Sequence, residues 1–440
     1  MTGMLRKVLN TAYVIPACVW ERKVPFAPSS VIRSIQKRRI KSIVRHAWNH
    51  VPFYRQSMEE RGITPKDIRE PEDLEVLPLI NNKDMRADPS IFNSRKLNPD
   101  TDMVIRTGSY KVIFWSRRAA LQWFARISRT RDVINNLLDK NSGYVEVYIN
   151  SPVNCNLHMN QYWQSQLLFM GRGKAKIRLD ANDLYEKTVS RINRIRPDIV
   201  YCFGSFSDQL FKYIDDRHLE LASPGIWISG SDMMGAGTRE HIEAKLGCPV
   251  YSAYNMNEMG AMSFECERRD GFHLNIDACH VRIADEKGNT VRDGESGEVI
   301  ISNLVNRATV LLNYRTGDRG KMAVEPCGCG RNLPLLKNLY GRISDLLRCG
   351  NGIDISFGQV EAQLGDIMSN VRIYQVVQER PGHMRWLMVP LSNCDRDHVE
   401  AGIRTLMEEI IPGRFEMEVC WVKSVEFTPG GKRKFVAHRF

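Results

Sequence analysis

The chain has 440 residues, more than one compact core usually holds, so a large domain with a smaller companion is expected. Its 43% hydrophobic and 26% charged residues are the make-up of a folded globular protein and exclude long disorder. The 62 lysines and arginines exceed the 51 aspartates and glutamates by enough to favour anionic partners such as nucleotides, phosphorylated cofactors or acidic membranes.

In chain order, residues 8–20 are apolar but short and are interrupted by Asn10 and Pro16. No small-residue cleavage site follows, so the stretch reads as neither signal peptide nor membrane span. A helix packed against the domain is expected there in preference to a surface anchor. Ile32, Ile35, Ile40, Ile43, Val44 and Ala47 then recur at helical spacing, and the same helix carries Lys37, Arg38, Arg39, Lys41 and Arg45. These basic residues are not interleaved with the aromatics that a single-strand groove needs for stacking, which sets nucleic-acid binding aside as a weak rival. Residues 49–52 end the helix, residues 71–74 read as a short capped helix before an extended segment, and a further turn starts at residues 83–85.

Residues 145–149, 199–203 and 226–229 are short β-rich runs separated by helical lengths at 184–194 and 239–246. This alternation predicts an α/β class with a mostly parallel sheet. From 281 to 324 the chain turns to Val/Ile-rich strands punctuated by Gly288, Gly294 and Gly320, which predicts hairpins or a small barrel closing the large domain. The remaining hundred or so residues suffice for a small α+β module, so the division expected is 1–341 and 342–440. Eleven cysteines without regular spacing argue for a reducing, cytoplasmic setting. Three of them stand out with one histidine: Cys266 and His273 lie seven residues apart, and Cys327 and Cys329 share a glycine-rich turn. Three thiolates and one imidazole would complete a tetrahedral structural zinc site, with buried free thiols as the bland alternative and Cys279 with His280 as a weaker pair.

Three motifs carry nucleotide chemistry. Tyr314-Arg315-Thr316-Gly317-Asp318, followed by Gly341-Arg342, places a carboxylate after a Thr-Gly turn, at a loop tip where it can accept from a ribose diol, and an arginine able to reach the same sugar or a phosphate. Tyr251 to Gly260 contains Tyr254, Asn255, Asn257 and Glu258, and Ser229-Gly230-Ser231-Asp232 precedes it. Near the C-terminus, Thr428-Pro429-Gly430-Gly431-Lys432 puts a lysine on a glycine-rich loop, where its point charge could reach between a carboxylate and an α-phosphate; Lys434 is the neighbouring substitute.

In this order the motifs resemble the nucleotide-binding core of the adenylate-forming ligases. Residues 45–55 and 71–78 look like the N-terminal segment of the phenylacetate–CoA ligase and CapK branch, and the resemblance covers nearly the whole chain. It implies a large N-terminal domain and a small C-terminal lid that rotates between half-reactions. The implied activity is ATP-dependent activation of a carboxylic acid, aromatic or small, as an acyl-adenylate that passes to CoA, another thiol, an amine or a carrier protein. The implied cofactors are ATP/AMP, Mg2+, CoA and a structural Zn2+, the last because relatives show a similar Cys, His and paired-Cys pattern; a homodimer stays open. By the resemblance Glu258 binds magnesium, Tyr254 packs beside the adenylate, Asp318 and Arg342 take the ribose, and Lys432 is the catalytic lysine. Gly230, Ser231 and Asp232 stand where the family has a turn beside the adenine, though an ordinary strand-to-helix turn fits equally. Asn255 replaces a glycine, which a left-handed backbone would tolerate, and Asn257 replaces a hydroxyl residue. The main departure is at Thr107, Gly108 and Ser109, where the family has a longer Ser/Thr-Gly-rich loop around the ATP phosphates and this chain continues at once with Tyr110 and Val112. Either Arg106, Ser109 and Lys111 hold ATP differently, or the chain is a degenerate member acting as an acyl transferase or non-catalytic partner.

Overall fold

A computed structural model describes the chain except for residues 1–2, 108–110, 141–142, 151–154, 171–174, 233, 235–236, 338, 340–345, 350–353, 369, 414 and 427–433. Helices α1 (Gly3–Lys23), α2 (Ser29–His50), α3 (Pro52–Glu60) and α4 (Asn82–Ala87) open the fold, followed by an antiparallel hairpin of β1 (Met103–Thr107) and β2 (Lys111–Trp115) and by α5 (Arg117–Arg126) and α6 (Ser128–Leu138). Next come β3 (Val145–Asn150), α7 (Cys155–Gln166), β4 (Ala175–Asp180), α8 (Tyr185–Ile195), β5 (Ile199–Phe203), α9 (Gly204–Asp216), β6 (Ile226–Gly230), α10 (Thr238–Leu246) and β7 (Val250–Ala253). These strands form a sheet in the order β4-β3-β5-β6-β7, with β4, β3, β5 and β6 paired in parallel, as the alternation predicts.

An antiparallel sheet follows, ordered β10-β11-β12-β13-β9-β8, from β8 (Ser263–Glu265), β9 (Phe272–Leu274), β10 (Cys279–Ala284), β11 (Gly297–Asn303), β12 (Tyr314–Met322) and β13 (Leu335–Lys337). The hairpin between β10 and β11 contains Gly288 and Gly294 as expected. Gly320 is no turn: it lies inside β12, where an added Cβ would come within 3.1 Å of the Leu336 side chain and 3.3 Å of the Lys337 carbonyl. Close approach of two strands, not chain reversal, is what its missing side chain permits. The last elements are β14 (Leu346–Arg348), β15 (Asp354–Ser356), α11 (Phe357–Leu364), β16 (Val371–Gln378), β17 (His383–Pro390), α12 (Arg396–Ile410), β18 (Glu416–Trp421) and β19 (Val436–His438). Four of these strands form a sheet in the order β18-β17-β16-β19.

The chain divides into two compact units. The first comprises residues 1–142, 154–173 and 253–339, and the second comprises 143–153, 174–252 and 340–440. One large core fills the first unit, running from Val14 and Ile40 through Trp115 and Trp123 to Leu312 and Tyr314. Among the described residues the second unit has a cluster around the parallel sheet, including Val147, Leu210 and Trp227, one in the C-terminal module, including Phe357, Trp386 and Met407, and a smaller one of Ile373, Val389 and Val425.

Long-range polar contacts fasten the N-terminal helices. On α3, Tyr54 Oη donates to the Val310 carbonyl at 3.1 Å and accepts from Leu312 N–H at 2.8 Å. Helix α1 packs on α5, α6 and α7. Its buried side presents Asn10, which donates to Gln166 Oε1 at 3.1 Å, and Glu21, which pairs with Arg129 and lies 3.6 Å from Arg126. Arg129 in turn grips Asp277 with two bonds of 2.8 and 3.0 Å. Burial alone would raise the Asp277 pKa, but Arg129, Arg126 and Arg39 outweigh it and hold this carboxyl well below the usual range. Val14 joins the core, with Tyr13 and Cys18 packed against it, whereas Leu5, Val8, Leu9, Ile15, Val19 and Trp20 face outward. The expected packed helix is therefore present, with a mixed contact face in which Val14, Tyr13 and Cys18 sit beside the bonded Asn10 and Glu21. Among the described residues no helix is long and apolar enough to cross a membrane.

Candidate active site and metal centre

Strand β12 builds the first part of the site. Its register with β11 slips, Glu298 facing Arg319 while Ile300 faces Arg315, so residues 316–318 oppose Val299 alone. Gly317 takes a φ of 78°, a left-handed conformation that a side chain would strain. Thr316 Oγ1 donates to the Val299 carbonyl at 2.9 Å and accepts from Asp318 N–H at 3.0 Å, which pins the bulge. Arg315 is held by Glu298, with Nε 2.6 Å from Oε2, and Tyr314 Oη donates to Asn82 at 2.7 Å. Asp318 is therefore presented by a bulged strand and not by a loop tip. The Thr-Gly pair makes a local kink while the ladder resumes on both sides.

Tyr254 comes from the segment after β7. Its hydroxyl donates to Asp318 Oδ2 at 2.9 Å, joining two residues that the resemblance assigns to the same nucleotide. The turn beyond it closes through Gly260 N–H to the Met256 carbonyl at 2.7 Å. Gly260 has φ 72°, and a Cβ there would lie 2.9 Å from Trp115 and 3.1 Å from Trp123. Trp115 also donates its indole N–H to the Asn257 carbonyl at 3.0 Å, so one buried ring sets both ends of the turn that carries Glu258. Glu258 itself is buried, and its backbone carbonyl accepts from Asn303 at 3.2 Å. Asn255 corrects an expectation. Its backbone is not left-handed, and its side-chain oxygen accepts from Met262 N–H at 2.9 Å and Ser263 N–H at 3.3 Å, bracing the turn from inside. A glycine could not do this.

In the second unit, Ser231 rather than a glycine takes the left-handed conformation, with φ 72°, right after Gly230. Asp232 accepts from Ser205 N–H at 3.2 Å and Ser205 Oγ at 2.5 Å, at the start of α9. In the first unit, Thr107 is paired with Lys111 in the β1–β2 hairpin, so only Gly108, Ser109 and Tyr110 connect the strands. Gly108 and Ser109, like Arg342 and Lys432, lie outside the described residues. Lys434 is described, and its carbonyl accepts from Gln375 at 3.2 Å.

The candidate metal site lies in the first unit. Cys266, His273, Cys327 and Cys329 bring one ligand atom each within 4.8 Å of one another. The Cys266 and Cys327 sulfurs are 3.7 Å apart, and the Cys329 sulfur is 3.3 Å from His273 Nε2. A tetrahedron with zinc–sulfur bonds of about 2.3 Å has sulfur–sulfur edges of about 3.8 Å, whereas a disulfide needs about 2.05 Å. The residues thus fit zinc and do not fit a disulfide. His273 Nδ1 lies 3.4 Å from the Leu333 carbonyl, an orientation that leaves Nε2 free to ligate. Burial pushes the Cys266 thiol up to about 12 and His273 down to about 4, keeping the imidazole neutral. At Cys329 burial opposes ionisation, but bonds from the Arg331 backbone and side chain and from the other two thiols outweigh it and lower its pKa. Cys279 and His280 do not join this group. Sequence reasoning missed Trp115, Trp123 and Arg331, whose roles depend on neighbours distant in the chain.

The chain has the fold of the adenylate-forming CoA ligases: a 2-hydroxyisobutyryl-CoA ligase in the postadenylation state superposes with a TM-score of 0.76, covering 94% of this chain and 91% of that one at 17% identity. No family model matches the chain. Along its sequence it resembles phenylacetate–CoA ligases. It is 24% identical to that of Thermus thermophilus over 407 residues, covering 89% of this chain and 88% of the relative. The Pseudomonas putida enzyme is 25% identical over 402 residues, with 87% of each covered.

Proposed function

We infer that this chain is an adenylate-forming acyl-CoA ligase. A carboxylate oxygen of the acid attacks the α-phosphorus of ATP, the bond to the β-phosphate oxygen breaks, and pyrophosphate leaves. The thiol of CoA then displaces AMP from the acyl carbon and gives up its proton. The observation that carries the reading is the 2.9 Å bond from Tyr254 to Asp318, which joins two motif residues 64 positions apart. In this reading Asp318 accepts from the ribose hydroxyls with Arg342 beside it, Tyr254 orients that carboxylate and borders the adenylate, and Lys432 supplies positive charge to the α-phosphate from a lid of residues 342–440. Positioning and charge do most of the work in such transfers. Glu258 is the residue that would hold Mg2+, which when bound neutralises the phosphates. Among the described residues no cluster of carboxylates surrounds it, in keeping with an ion that keeps waters and phosphate oxygens as its other ligands.

The test is pyrophosphate release over a panel that includes phenylacetate, benzoate and 2-hydroxyisobutyrate, with and without CoA. Turnover with at least one acid supports the reading. AMP binding without any ATP-dependent turnover would favour a degenerate acyl transferase or partner instead, a rival supported by the three-residue connection between Thr107 and Lys111. Tyr254→Phe should raise KM for ATP about tenfold, the scale of one hydrogen bond to a charged group.

A further inference from the structure

We propose that α1 is a peripheral docking face for an anionic lipid bilayer. Leu5, Val8, Leu9, Ile15, Val19 and Trp20 recur at helical spacing along one side and are each between 44% and 56% exposed. The opposite side holds Asn10 and Glu21 in the bonds already described, so α1 cannot turn its apolar side inward without breaking them. The core side also takes Val14, yet six large apolar side chains remain exposed together on the other side, an apolar face that marks an external occupant.

Charge identifies that occupant. Residues 1–58 contain eleven lysines and arginines against a single acid, Glu21, which is buried; Lys37, Arg39 and Arg55 pair with Glu70, Asp277 and Glu59, and the others leave the segment strongly positive. Arg22 and Lys23 end the apolar face and are exposed, and Arg33, Arg38, Lys41 and Arg45 are exposed along α2. A second copy of this chain would bring the same positive field to the interface and be repelled. A bilayer with anionic headgroups accepts the apolar side chains and the flanking cations together, with Trp20 at the headgroup level.

The experiment is co-sedimentation of the full chain with vesicles of phosphatidylcholine alone or mixed in equal parts with phosphatidylglycerol, at low and high salt. Expected are binding about tenfold tighter to the anionic vesicles, weakening with salt, loss of binding in V8E/V19E at unchanged melting temperature, and loss of the lipid preference in R22E/K23E. The proposal is overturned by failure to bind either vesicle. It is equally overturned by sedimentation showing a dimer that V8E/V19E dissociates, which would give the face to a second copy.

Discussion

Replacing Gly260 by alanine tests how the turn carrying Glu258 is held. The residue sits at φ 72°, where an L-side chain costs about 1–2 kcal/mol. The new methyl would also lie 2.9 Å from Trp115 and 3.1 Å from Trp123, both buried, and Trp115 is tied by its indole N–H to the Asn257 carbonyl. Neither ring can swing away cheaply, so overpacking adds about 1–3 kcal/mol and the total is about 2–5 kcal/mol. Gly247 is the internal control: it too is left-handed, at φ 65°, but a Cβ there meets nothing within 4 Å. Gly247→Ala should therefore show the backbone cost alone. Urea unfolding followed by tryptophan fluorescence compares the two, and pyrophosphate release on the folded variants should fall only for Gly260→Ala, because moving Trp115 moves Glu258. Equal destabilisation of both variants would refute the idea that the tryptophan pair clamps the turn.

Elemental analysis should find one zinc per chain, and Cys329→Ser should lose it and lower the melting temperature; protein that stays metal-free and melts unchanged after incubation with zinc would remove the metal centre. Burial holds His46 and His280 down to about 4, against about 6.5 unfolded. The folded state thus binds fewer protons, and the stability they confer is complete above about pH 6.5 and lost as pH falls towards about 4, on the order of 3 kcal/mol for each. His46→Gln should flatten that decline in urea midpoints, and a wild-type midpoint constant across this range would contradict it.

The parallel sheet was legible because its strands are short β-rich runs that need no distant partner to be recognised. The Cys and His set was legible as ligand chemistry, though nothing in the spacing fixed a 3.7 Å sulfur–sulfur edge. Asp318 was legible as a residue but not as a place: Thr-Gly reads locally as a turn, and only pairing of Arg315 and Arg319 with β11 makes it a bulge. The bracing role of Asn255 is not legible in the sequence because its two backbone partners, Met262 and Ser263, come from later in the chain. For α1 the polar residues looked like interruptions of an apolar run, since their partners Gln166 and Arg129 lie more than a hundred residues away.

The bond from Tyr54 to Val310 spans 256 positions. A ribosome adding roughly 5–20 residues per second takes roughly 10–50 s to cover that distance. Throughout this interval the nascent N-terminal helices have no completed sheet to rest on, and their apolar side chains are open to wrong associations. A slowly maturing polypeptide of this kind should depend on chaperones during synthesis, and truncations ending before residue 310 should aggregate even though they contain every residue of the first three helices.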